Sequence, residues 1–429
     1  MTAEGMTGGD EGEQGTALAL RAKRVLDVYA GRWLADTVVV VRGDRIEQVG
    51  GPVPEGTEMV DLGERSLLPG LIDTHTHVLL QGNRSTQEYA AQILQEEPAH
   101  RVARAVRSME IALSHGFTCV RDLGTEGAGF ADVALRDAAA AGIVRGPRML
   151  VAGPAIGRTY SYPIFGYRSD WQFPVGVAEC DGVEGCRREV RRQVARGIDW
   201  VKVYATAGRG LQLTEDGYAD SPPPWTEGEL QAIVDEAHAL GIPVAAHATS
   251  VTGTEMAVAA GVDSIEHGSA IRPATARAMA ARGIPLVPTL LVGPERQQRA
   301  FTNCLSAGGT IAFGTDIGAF DWEEVNQASE LEIMVGMGQS PAEAIRSATS
   351  GAAALLRRKG LLGEITVGAQ ADLIACPGDP LTRVAALTEV DVVMKAGVIV
   401  VQPQENLLRT QPPIESSLFR GDRAVKRQA

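Results

Sequence analysis

Apolar positions in this chain fall in short blocks that end in polar residues, and SLLPGLIDTHTHV at 66–78 sets the pattern. Leu67, Leu68, Leu71 and Ile72 carry the chain into Asp73, His75 and His77. Residues two apart on a strand share a face, so the two histidines project together with α-carbons roughly 6.6 Å apart. Similar blocks recur at 118–124 (TCVRDLG), 148–153 (RMLVAG), 199–205 (DWVKVYA), 242–248 (IPVAAHA), 264–268 (SIEHG), 285–290 (PLVPTL) and 310–316 (TIAFGTD). Helix-like segments fill the gaps, around 100–115, 130–141, 184–196, 227–240, 252–260, 273–282, 294–306, 323–336 and 341–356. Thr226 followed by Glu229 reads as a capping box, and Gly241 as the stop of the same helix. This alternation predicts an α/β fold, a (β/α)8 TIM-like barrel with its chemistry at the C-terminal strand ends.

The flanks have a different texture. ALALRAKRVLDV, TVVVVRGDRIEQVG with its Arg-Gly-Asp at a hairpin tip, and EMVDLGERSLLPG read as short strands and turns. The same texture returns in LGEITVGAQADLIACPGDP and VDVVMKAGVIVV. One small β-sandwich built from both chain ends is therefore expected. The division is 1–16 as a disordered segment, 17–68 and 359–405 as the two parts of the sandwich, 69–358 as the barrel, and 406–429 as a tail. Two long connections, 154–183 and 206–225, are expected to be lids or substrate walls.

Composition narrows the function. With 40 Lys+Arg against 53 Asp+Glu, the net charge is −13, which disfavours nucleic acid and anionic membranes as partners. The five cysteines form no C-x-x-C pair, which suits a reducing compartment. The acidic, glycine-rich start lacks the features of a secretion signal, and no apolar run reaches ~18 residues. A cytoplasmic location is expected.

The candidate chemistry sits at the strand ends: His75 and His77 on the first, Lys202 on the fourth, His247 on the fifth, His267 on the sixth and Asp316 on the eighth. Two imidazoles spaced as in His-x-His can close on one metal ion. Singly, His267 could be a core histidine and Asp316 a helix cap. Lys202 is harder to explain away. Val201 and Val203 alternate to the other face, so the ammonium points into the mouth, where burial is costly unless it is neutralised. Glu266 is expected to alternate away from the site and to pair elsewhere. His100, His115 and His238 lie at helix ends and read as structural or solvated.

The motifs PGLIDTHTH (69–77), VKVYATAG (201–208), AAHATS (245–250), SIEHGS (264–269) and FGTDIG (313–318) resemble the amidohydrolase superfamily, nearest to its imidazolonepropionase-like and Xaa-Pro-dipeptidase-like branch. GEITVGAQADLIAC (363–376) and VDVVMKAGVIV (390–400) match it too, so the resemblance runs from about 17 to 402. It implies a binuclear site, with His75, His77 and Asp316 on one divalent metal ion, His247 and His267 on the other, and a carboxylated Lys202 bridging them. Mixed imidazole and carboxylate ligands suit Zn²⁺ first. Asp316 then serves as the catalytic proton carrier to the leaving amine. A homo-oligomer is also implied.

The resemblance departs in places. After strand three, AGPAIGRTYSYPIFGYRSDW (152–171) lacks the histidine common in relatives. Its Tyr160, Tyr162, Phe165, Tyr167 and Arg168 either wall a bulky or aromatic substrate or pack a loop. The stretch 291–309 is shorter than usual, which would open one side of the mouth or alter subunit contacts. In the strand-four loop, Tyr204, Arg209 and Tyr218 are candidates to meet a substrate carbonyl or carboxylate. The expected function is metal-dependent hydrolysis of small-molecule amides, chiefly dipeptides or N-acyl amino acids with a free carboxylate, bulky mycotoxin-type amides included. The rival is opening of a cyclic amide such as an imidazolone, hydantoin or lactam. A deaminase fits the strand-four lysine poorly, and a non-catalytic barrel serving as an assembly subunit would have lost metal ligands.

Overall fold

The computed structural model describes residues 17–82, 85–162, 175–207 and 210–403. Its central strands are Leu71–Thr76, Phe117–Asp122, Arg148–Val151, Val201–Tyr204, Val244–Ala248, Ser264–His267 and Leu286–Val287. They pair in parallel, and almost every residue in them is buried, as near-continuous apolar runs covered on both faces require. The first three form one sheet, and the other four form a second that the short strands Ile156–Gly157 and Ala178–Glu179 extend to six.

The eighth expected strand does not form a ladder. Segment 310–317 makes only isolated bridges, Leu286 to Ile311 and Thr76 to Ile317. Near its end Asp316 sits at φ 63°, outside strand geometry. The segment still joins its neighbours through Ala312 N to Leu286 O (2.9 Å), Asp316 N to His75 O (2.8 Å) and His77 N to Ile317 O (2.8 Å). On the other side, Asp199 N donates to Val151 O at 2.8 Å, linking the third strand to the fourth.

Most helices fall where the periodicity puts them, among them Pro98–Ser114, Gly182–Val194, Glu227–Ala239 and Pro294–Ser306. Three differences stand out. Helix Thr86–Leu94, capped by Ser85, was not expected. The helix expected at 323–336 begins only at Ser329, because Asp321 and Asn326 accept from the backbone of Glu323 and Ala328 and turn the chain instead. The one expected at 341–356 splits into Pro341–Ser347 and Ser350–Leu355 around Thr349, whose backbone is not helical.

The chain ends build two sheets. One orders Arg45–Val49, Val38–Arg42, Ala17–Arg21 and Glu58–Asp61, with Gly43 at φ 57° turning the Arg-Gly-Asp hairpin. The other orders Val398–Val401, Val392–Lys395, Leu373–Cys376, Ser66–Pro69, Arg24–Asp27 and Arg32–Leu34. Leu20, Val39, Val41 and Ile46 from the first share an apolar cluster with Val25, Leu67, Leu373 and Met394 from the second.

Helix Glu227–Ala239 braces the end of strand four. Thr226 and Glu229 cap each other reciprocally, Glu229 also accepts from Gly182 N at 2.7 Å, and the adjacent Trp225 donates to Tyr204 O at 2.7 Å. Thr226→Ala removes one side of that box and is expected to cost about 1 kcal/mol, read as a lower urea midpoint with unchanged m-value.

Candidate active site

Strand one supplies the frame. Asp73 is buried and takes four hydrogen bonds, from His75 N (3.0 Å), Thr315 N (3.2 Å), Thr315 Oγ1 (2.6 Å) and Gln327 Nε2 (2.7 Å). Burial pushes its carboxyl up to about 6 even though those bonds oppose the shift. It fastens segment 310–317 against strand one and so sets Asp316 beside the two histidines.

The imidazoles form a chain. Ring centroids lie 5.5 Å apart for His75 and His77, 4.8 Å for His75 and His267, and 4.7 Å for His247 and His267. Asp316 lies against three of them: Oδ1 is 3.2 Å from His77 Nε2 and 3.4 Å from His75 Nε2, and Oδ2 is 4.0 Å from His267 Nδ1. Each of these three rings has its Nδ1 held. His75 donates to Glu266 Oε2 at 2.8 Å, His77 to Gly124 O at 2.9 Å, and His267 shares a hydrogen bond with Thr289 Oγ1 at 2.8 Å. Such outer partners fix the ring orientation and leave Nε2 available. Thr289 is itself placed by Glu330, which accepts from Leu290 N and Leu291 N at 2.6 and 2.7 Å.

Glu266 does not alternate away as expected. It lies beneath His75 and pairs through Oε1 with Arg121 at 2.9 Å. Arg121 donates to Thr74 O at 2.6 Å and stacks over Trp200 at 4.3 Å. The alternation rule failed because His267 has φ 64°, which turns its ring into the site although Glu266 before it faces inward as well.

Lys202 is 1% exposed, and the charges acting on it include Glu266, Asp316, Arg121 and Glu126. Burial lowers its ammonium to about 8, against the pull of Glu266 and Asp316. Burial also lowers His247, to about 3, and His75 and His267 fall well below the usual histidine value. His77 goes the other way. Burial would lower it, but Asp316, Glu126 and Asp122 carry it up to about 9. Asp316 mirrors this: burial would raise it, yet His75, His77 and His267 hold it well below the carboxylate range. The cluster keeps a proton on His77 where a cation would replace it.

The donor set fits a metal. Among the described residues, ligand atoms of His75, His267 and Asp316 lie within 4.8 Å of one another, and His75 Nε2 is buried without a hydrogen-bond partner.

Of the aromatic candidates, Tyr162 and Tyr204 lie at the site. Both donate their hydroxyls to Glu126, as does Tyr89. Tyr218 packs with Val251 and Ala270, just past the ends of strands five and six, with Arg299 over its ring at 3.8 Å and its hydroxyl accepting from Asn303 at 3.0 Å. Tyr167, Arg168 and Arg209, with Phe165 of the same loop, lie outside the described residues. Of the three leftover histidines, His100 is exposed, His115 caps a helix, and His238 pairs with Asp263 at 2.7 Å. Sequence reading missed Glu126, Tyr89, Thr289 and the roles of Asp73 and Glu266. Glu126 left one trace, its place in DLGTEGAG at the end of strand two, the end where barrel chemistry gathers.

Parallel strands that end in imidazoles and carboxylates fit the class of α/β barrel enzymes whose chemistry gathers at the carboxyl ends of the strands. The profile of the amidohydrolase family matches residues 66–400, and the chain belongs to that family. It is 29% identical to the ochratoxinase of Aspergillus niger over 75% of this chain and 72% of that protein. It is 27% identical to the imidazolonepropionase of Streptomyces avermitilis over 79% and 80%. A Xaa-Pro dipeptidase crystallised with bound methionine superposes with a TM-score of 0.79 at 29% identity, covering 90% of this chain and all of that one. Neighbours of this kind have the α/β TIM-barrel fold, and the chain is an amidohydrolase acting on amide bonds.

Two glycines, one within segment 310–317 and one just after it, let the chain approach the histidines. A Cβ on Gly314 would lie 2.9 Å from His75 Cβ, and one on Gly318 (φ 107°) would lie 2.4 Å from His77 O and 2.8 Å from His77 Cβ. Gly318→Ala is therefore expected to displace His77 and lower bound metal per chain, read by atomic absorption, while circular dichroism shows the helices intact.

Proposed function

We propose that this enzyme hydrolyses the C–N bond of dipeptides or N-acyl amino acids that carry a free carboxylate. The proposal takes residues 69–358 as a closed (β/α)8 barrel and both chain ends as one β-sandwich. The observation that carries it is the convergence of Asp316 with three imidazoles whose Nδ1 atoms are already engaged, beside a buried lysine. The name Xaa-Pro dipeptidase on a structural neighbour supports the dipeptide reading. The imidazolonepropionase relative favours a second, cyclic-amide reading.

In this reading His75, His77 and Asp316 would hold one divalent cation, Zn²⁺ first, and His247 and His267 would hold the other. When bound, such ions supply Lewis acidity that polarises a carbonyl and lowers the pKa of water. Lys202, carboxylated to a carbamate, would complete the ligand set of both ions. The ammonium first gives up one proton, the free amine attacks carbon dioxide so that an N–C bond forms as a C–O π bond opens onto oxygen, and a second proton leaves, so a buried cation becomes an anion. A lysine lowered to about 8 leaves a usable fraction of free amine near neutral pH. Arg121 pairs with Glu266, which holds the His75 ring in its orientation, and burial keeps His75 neutral. Asp316, anionic throughout the working range, takes a proton from the attacking water and returns it to the leaving nitrogen.

Incubating Zn-loaded enzyme with pooled dipeptides, N-acyl amino acids and lactams, and following depletion by mass, tests the substrate class. If only lactams disappear, the cyclic-amide reading replaces this one. Lys202→Ala is expected to abolish turnover, with partial rescue by a short-chain carboxylic acid; a fully active variant removes the bridging role. Asp316→Asn is expected to retain metal and lose at least ~10²-fold in kcat. Metal analysis of the wild type is expected to return about two ions per chain.

A further inference from the structure

Glu126 is held in an unusual way. Its backbone lies at φ 47°, a conformation that non-glycine residues keep only where the surroundings enforce it. Its buried carboxylate receives Tyr204 Oη at 3.0 Å on Oε1, and Tyr89 Oη at 2.5 Å together with Tyr162 Oη on Oε2. These tyrosines come from helix Thr86–Leu94, the loop after strand three and the end of strand four. Arg101 lies behind, with its guanidinium aimed at the backbone carbonyls of Leu79, Thr125 and Glu126 at 3.1, 2.9 and 2.7 Å. The cluster borders the imidazole chain. The Tyr204 ring is 4.9 Å from His247, and Gly124, two residues before Glu126, accepts from His77.

The proton inventory of this wall decides what it can bind. A phenol has one proton and two lone pairs. With all three protons committed to the Glu126 carboxylate, the hydroxyls present only acceptors. A substrate carboxylate or acyl oxygen finds no donor there, whereas an ammonium with its three protons finds several acceptors. Burial raises the Glu126 carboxyl, and His77, the Tyr204 hydroxyl, Arg101 and Lys202 pull it back toward the carboxylate; the same three cations oppose an ammonium, and carboxylation of Lys202 would remove one of them.

We infer that Glu126 with Tyr89, Tyr162 and Tyr204 forms a subsite for the free α-ammonium of an aminoacyl substrate, so that the enzyme favours dipeptides over N-acylated amino acids. This rests on the hydrolase reading above and narrows its substrate class.

The test compares kcat/KM of the Zn-loaded full chain on dipeptides and on their N-acetylated counterparts, in the wild type and in Glu126→Gln. In parallel, calorimetry measures binding of the non-hydrolysable amine phenylalaninol and its amine-free analogue 3-phenylpropanol. The wild type is expected to prefer the free amine by at least about tenfold in both assays. Glu126→Gln should collapse that ratio with a much smaller loss on the acetylated substrates, and Glu126→Asp, which keeps the charge, should restore part of it. A merely structural Glu126 would lower both substrates alike. An unchanged ratio in Glu126→Gln, or no amine preference in the wild type, overturns the subsite; the wild-type comparison alone decides if the variant does not fold. Should no amide be hydrolysed while phenylalaninol binding still depends on Glu126, the proposed function fails and the subsite stands.

Discussion

The site depends on how segment 310–317 is fastened to strand one. A regular ladder would place Asp316 in extended geometry, with its side chain set by strand alternation. Here the contact is carried by one buried carboxylate, Asp73, which collects donors from strand one, from Thr315 and from Gln327. Because the grip is on Thr315, the next residue is free to adopt φ 63° and turn its carboxylate toward the imidazoles. Burying Asp73 costs free energy, as its raised pKa records, and four hydrogen bonds offset part of that cost.

A second buried charge works in the same direction. Arg121 and Glu266 are each fully enclosed, and a pair of that kind is weak evidence for stability, since the desolvation of both ions opposes their attraction. Its value lies in orientation. Glu266 divides its two oxygens between Arg121 and His75, so the guanidinium, stacked on Trp200, sets the ring angle of an imidazole two residues along strand one from Asp73. Core packing at Trp200 is thereby coupled to the chemistry of His75.

Much of this was readable from the chain, and the exceptions share a cause. Strands one, two, four, five and six are legible because each is an apolar run broken by a polar residue at its end. The family followed from the motifs at those ends. The geometry around His75, His77, His267 and Asp316 is consistent with their selection as a group, and Lys202 is buried among the same charges. The misreadings come where one residue leaves the local repeat. Glu266 was assigned outward because alternation was carried through His267, whose left-handed backbone breaks it. Tyr162 and Tyr204 were picked as candidates, but their shared partner was not, because Glu126 meets them only through contacts spanning 36 and 78 positions. Tyr218 looked similar in sequence and packs under Arg299, a difference no local pattern encodes.

These exceptions follow a rule of placement. Among the described residues, eight non-glycine positions have positive φ, and Glu126, His267, Thr289 and Asp316 are four of them. All four stand at or just past the carboxyl end of a central segment, and each touches another member of the site or its support. A strand offers only two directions for a side chain, while convergence on one point from several strands demands intermediate ones. A left-handed residue at the strand end supplies the missing angle at a local cost of order 1–3 kcal/mol, tolerable when the surrounding core is rigid. At these four positions strand geometry is broken where converging chemistry requires it.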